Sequence, residues 1–97
     1  MRTTNINVYN TNKNNDFMTA QNCRADIIGE LDAITQYENH YFATDDPVAK
    51  ATILDIMNEE KLHVGQLFGL LFRLDPIAQS QFEKGFNEFT NDDATAR

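Results

Sequence analysis

The chain has 97 residues, 41% of them hydrophobic and 24% charged, which is the composition of one globular domain whose own core is small. Fifteen acids against eight Lys and Arg give a net charge of −7, which disfavours nucleic acid and anionic lipid as partners and favours cations. The single cysteine and two histidines exclude a disulfide framework and a zinc finger within one chain, no apolar run approaches the ~18 residues of a membrane span, and the polar N-terminus does not read as a secretion signal, so a cytoplasmic protein is expected.

Residues 1–18 are rich in asparagine (Asn5, Asn7, Asn10, Asn12, Asn14 and Asn15) and show no helical or strand period, so they are expected to form a disordered polar tail. From Thr19, a plausible N-cap, apolar residues recur at helical spacing, and a first helix is expected over about Ala20 to Ala43. Thr44, Asp45, Asp46 and Pro47 form a stop and restart signal, with Asp46 capping a second helix over about Pro47 to Arg73. Asp75 and Pro76 repeat the device, predicting a short third helix to about Phe89 that carries Phe82, Phe86 and Phe89 on one side, followed by a flexible tail over 90–97. No segment alternates like a strand, so the fold class is all-α. The short connection makes the first two helices an antiparallel hairpin, and residues 19–89 form the helical body. Helix 2 is apolar on more faces than one neighbour can cover, which calls for a further helical layer, part of it expected from helix 3 and the rest from a partner chain.

Both long helices carry seams in alternating steps of four and three. On helix 1 the seam is Cys23, Ile27, Glu30, Ile34, Tyr37 and Tyr41. On helix 2 it is Ala49, Ile53, Ile56, Glu60, His63, Leu67, Leu70 and Leu74. Three ionisable residues interrupt these seams. A charged carboxylate among apolar side chains is costly unless it is paired or ligates a metal. Glu30 stands 13 residues before the end of helix 1 and Glu60 13 residues after the start of helix 2, so both lie about 20 Å from the turn. Glu60 and His63 are one turn apart on one face, close enough to share an ion. The other seam and turn residues have plainer readings. Tyr37 and Tyr41 fit packing with satisfied hydroxyls, Cys23 a small buried hydrophobe, and His40 a surface residue. Asp45 and Asp46 are caps, and Glu38, Asp55 and Glu59 belong to solvated faces.

A Glu on one helix and a Glu-x-x-His on the next is half of the ligand set of ferritin-like di-iron carboxylate proteins. Residues 28–71, with Glu30-Leu31-Asp32 and Tyr37 followed by Glu59-Glu60-Lys61 and His63, resemble rubrerythrin-like ferritins, and most of all the encapsulated ferritins. The likeness covers under half the chain. It implies that two subunits meet face to face and complete a ferritin-like four-helix bundle, in which paired Glu30, Glu60 and His63 hold two irons per dimer as a ferroxidase centre. Glu60 would bridge the irons and Glu30 and His63 would be terminal ligands. Tyr37 would be a neighbouring hydrogen-bond donor or redox-active group, and Asp32 would lie on the iron access path. Manganese, zinc or calcium would serve as surrogate ions, and a ring of dimers or an encapsulin shell would be the wider assembly. The chain departs from the family pattern at Gly29, where an additional acid is common, and at Gln36, where Trp is frequent. The segment 90–97 lacks the apolar peptide that docks such ferritins in a shell, and there is no Cys-x-x-Cys pair. Two alternatives use the same residues differently: a rubrerythrin-like peroxidase or hydroxylase, and a metal-free helical module in which the polar seam only specifies dimerisation.

Overall fold

The computed structural model describes residues 6–96, with side chains described over 15–91. It consists of three helices: α1 (Ile6–Ala43), α2 (Pro47–Leu74) and α3 (Pro76–Ala96). The all-α class expected from the sequence holds, with no strand among the described residues, and none of their helices is long and apolar enough to cross a membrane.

Local chemistry sets the two breaks. Asp46 takes extended backbone angles (φ −73°, ψ 117°) and its Oδ1 accepts from the Val48 amide at 3.0 Å, while Thr44 Oγ1 accepts from the Asp46 amide at 3.2 Å. Pro47 then occupies the first helical position, where a missing N–H costs nothing. At the second break the Asp75 amide donates to the Leu71 carbonyl at 2.8 Å, closing α2. Its carboxylate accepts from the Ala78 amide at 3.1 Å, opening α3 behind Pro76.

α1 and α2 form the expected antiparallel hairpin. Beside the turn, Lys50 reaches the Tyr41 carbonyl; at the far end, the Cys23 thiol donates to the Leu67 carbonyl at 3.1 Å. A compact apolar cluster of Ala20, Cys23, Ile27 and Leu71 lies at that far end, flanked by Leu67, Phe68, Phe72 and Leu74. Met57 is buried nearer the middle. Burial in this low-polarity contact raises the pKa of the Cys23 thiol, with the charge of Asp26 adding to the effect. α3 touches only the end of α2, where the Phe82 ring packs 5.4 Å from Phe68 and 5.2 Å from Phe72. Beyond that contact Phe86 and Phe89 are exposed.

The helix boundaries differ from expectation at both ends. α1 begins at Ile6, so residues 6–18, read as a disordered tail, are helical, and Thr19 is an interior residue; residues 1–5 lie outside the described residues. No Pro or Gly interrupts residues 6–18, and a helix already nucleated by a docked segment propagates at little further cost. α2 runs one residue further, to Leu74. α3 continues past Phe89 to Ala96, so 90–96 are also helical, and Arg97 lies outside the described residues. The Thr90 hydroxyl follows that helical course, donating to the Phe86 carbonyl at 2.8 Å. In the α2 seam the buried residue is Leu71, while Leu70 is exposed.

The body is flat, with principal extents of 61 × 39 × 17 Å. Two helices side by side give one shared contact and two open faces. Ile28, Leu31, Leu54 and Leu62 are accordingly exposed.

Candidate metal centre

Midway along the hairpin, where helical rise places them level, Glu30 of α1 meets Glu60 and His63 of α2. His63 Nδ1 lies 3.7 Å from Glu30 Oε2 and 3.6 Å from Glu60 Oε1. One ligand atom from each residue falls within 4.8 Å of the others, the separation at which a single cation can replace the mutual contacts. The side chains retain 26%, 20% and 43% exposure for Glu30, Glu60 and His63, so the trio is half sunk in the seam and half open to one face.

Two electrostatic features mark the cluster. Glu30 Oε2 is buried and has no hydrogen-bond partner, an arrangement that costs free energy unless a proton or cation satisfies it. The Glu60 carboxyl is held above its ordinary pKa. A hydrogen bond with the Glu30 carboxyl is the largest cause, followed by burial and by the charge of Glu30; His63 pulls the other way and Glu59 adds a smaller push. Two carboxylates this close compete for one positive partner. Oxygen and imidazole nitrogen donors suit ferrous iron, and also manganese and zinc.

The structure brings Glu30, Glu60 and His63 together, and Asp32 does not join them. Asp32 is fully on the surface of α1. Tyr37 is half-buried on the seam, its ring edge-on to that of His40 at 6.4 Å. Gly29, in the position of an expected acid, opens onto free space. No other group of three metal-ligating side chains occurs among the described residues. Two surface hollows, one beside Phe17, Arg24 and Leu74 and one at Phe82 and Phe86, do not include the trio. Sequence reasoning overlooked Lys50, whose ammonium donates to the Tyr41 carbonyl at 2.7 Å and sits 4.1 Å above the Tyr41 ring. Its signal is a cation placed one turn into α2, opposite the carbonyl end of α1.

No model of a known protein family matches the chain. Three comparisons with individual proteins do. A ferritin-like–encapsulin shell fusion protein of Pyrococcus furiosus is 42% identical over 65 residues, which is 67% of this chain and 19% of that protein. The encapsulin nanocompartment cargo protein EncC of Myxococcus xanthus is 42% identical over 64 residues, 66% of this chain and 49% of that protein. The chain therefore spans about a fifth and about half of the lengths of these curated relatives. The crystal structure of an encapsulated ferritin domain from Pyrococcus furiosus superposes with a TM-score of 0.75 and 36% identity, covering 78% of both chains.

Proposed function

Because the chain belongs to the encapsulated ferritin family, to a solved member of which it is 36% identical across 78% of both chains, we propose that it is a ferroxidase, oxidising Fe²⁺ to Fe³⁺ for iron storage or detoxification. The observation that carries this reading is the convergence of Glu30, Glu60 and His63 around the unpartnered Glu30 Oε2. One chain offers three ligands, too few for two irons, and its ligands face an open side. A second copy related by a two-fold axis doubles each ligand, giving four carboxylates and two imidazoles at one dimer interface.

In that dimer Glu60 would be shared between two irons and screen their repulsion, while Glu30 and His63 would each hold one. Two Fe²⁺ surrender two electrons to O₂, which takes up two protons and leaves as hydrogen peroxide. The apolar seam residues on either side, Ile27, Ile34, Ile56 and Leu67, limit water around the ligands. Tyr37 serves as a neighbouring hydrogen-bond donor or redox-active group, and Asp32, on the surface, lies on the iron access path. Manganese, zinc or calcium act as surrogate ions. A flat half-bundle cannot enclose a mineral, so oxidised iron passes to a ring of dimers or a shell. The relatives named as a shell fusion and as a nanocompartment cargo support a location within an encapsulin compartment of the cytoplasm.

Metal-free protein mixed with Fe²⁺ in air tests this directly. Ferric absorbance should rise faster than in buffer, and Glu60→Ala should abolish the acceleration. No acceleration, or equal acceleration by the variant, overturns the reading.

A further inference from the structure

We infer that Lys50 is a positioning residue for the centre: by clamping the last turn of α1 it sets the rotation of that helix and so aims Glu30 at Glu60 and His63. The inference rests on the metal-centre reading above.

The last four carbonyls of a helix have no partner within it. In α1 these belong to residues 40–43, and the Tyr41 carbonyl is taken by Lys50 Nζ at 2.7 Å. The same ammonium lies 4.1 Å over the Tyr41 ring and 5.8 Å from the Phe42 ring centre, so it engages both faces of the α1 terminus at once. Lys50 is itself fixed, since its amide donates to the Asp46 carbonyl at 2.9 Å and Asp46 caps α2. The half-buried lysine thus joins the final turn of α1 to the first turn of α2 through its bond to the Tyr41 carbonyl and its contact with the Tyr41 ring.

Helical geometry carries that tie to the ligands. Glu30 precedes Tyr41 by 11 residues, about three full turns, so the two residues share a direction to within about 20°. Whatever orients Tyr41 toward α2 orients Glu30 toward α2 as well. A rotation of α1 by about 20° would move a carboxylate at a helix radius of 5–6 Å by about 2 Å. Metal ligands tolerate roughly 0.2 Å. At the far end of the hairpin the apolar cluster of Ala20, Cys23, Ile27 and Leu71 and the bond from the Cys23 thiol to the Leu67 carbonyl hold the other end of α1, and the Lys50 clamp is the polar constraint beside the turn.

Anaerobic Fe²⁺ titration of the full chain, with Co²⁺ as a second probe, measures the consequence. Lys50→Met keeps the apolar stem and removes the donor; its affinity should fall about tenfold, in the range seen for residues that orient ligands. Lys50→Arg should stay within about threefold of the parent. Asp75→Ala, which uncaps α3 away from the turn, should lower the melting temperature without changing affinity. A spin-label distance between Thr35→Cys and Asn58→Cys in a Cys23→Ala background, read without metal, should shift or broaden in Lys50→Met. Unchanged affinity in Lys50→Met, an equal loss in Asp75→Ala, or an unchanged distance distribution would overturn the inference. If the parent takes up no iron, the metal-centre reading fails, and the distance distribution alone decides whether Lys50 sets the rotation of α1.

Discussion

If the proposed iron-bridged dimer forms, withdrawing iron should take it apart, and the size of the effect follows from the ligand count. In the proposed centre each chain would contribute Glu30, Glu60 and His63, and two chains together would surround two ions. Without metal, pairing the open faces brings two more carboxylates against two that already compete for one proton, which disfavours association. With free Fe²⁺ at 100 times the site dissociation constant, each ion stabilises the bound state by about 2.7 kcal/mol. Two ions per dimer give about 5.4 kcal/mol, a dimer constant about 10⁴-fold tighter than in chelator. Sedimentation velocity across a protein dilution series, run anaerobically with Fe²⁺ and again with EDTA, reads that ratio. His63→Ala should lose most of it. A dimer constant that is the same in both conditions, or a metal effect preserved in His63→Ala, would refute an interface-borne centre.

Three further outcomes follow from the contacts. Glu60 has a folded-state pKa raised above its ordinary value of 4.5, so its favourable contribution is present at acid pH and lost as pH rises through the raised value. In chelator, the melting temperature should therefore fall between pH 4.5 and neutrality, and Glu60→Gln should flatten that fall; a parallel profile would contradict the carboxyl pair. Leu71, 5% exposed within the cluster of Ala20, Cys23 and Ile27, should cost about 2–5 kcal/mol on replacement by Ala, measured by urea unfolding followed by circular dichroism. Asp46→Ala should cost about 1 kcal/mol in the same assay and Asp46→Asn much less, since only the acceptor for the Val48 amide matters.

The hairpin and the level placement of Glu30, Glu60 and His63 were legible because a helix has a fixed rise and period. Counting 13 residues from each side of the break at residues 44–46 placed Glu30 beside Glu60, and the four-three spacing put both on the contact face. Periodicity also carries the limits of that reading. Residues 6–18 form helix without an apolar repeat, because propagation from a docked segment needs only the absence of breakers. The exchange of Leu70 for Leu71 in the core is one residue of phase, which a seven-residue repeat cannot resolve on a straight helix that drifts about 20° per heptad. Lys50 was overlooked for a different reason: the Asp46 cap was readable, but which acceptor a long cation one turn into α2 reaches depends on the path of the turn, which spacing alone does not give.

The connection of only three residues between α1 and α2 has an evolutionary consequence. With so little slack, one residue gained or lost within the helical stretches between Glu30 and Glu60 turns one ligand by about 100° and slides it about 1.5 Å, and no loop is available to absorb the change. The thirty-residue span must therefore be inherited at constant length for as long as the centre is used. Length variation is free to accumulate outside it, in the N-terminal run of α1 and along α3, where added turns would displace neither carboxylate nor imidazole.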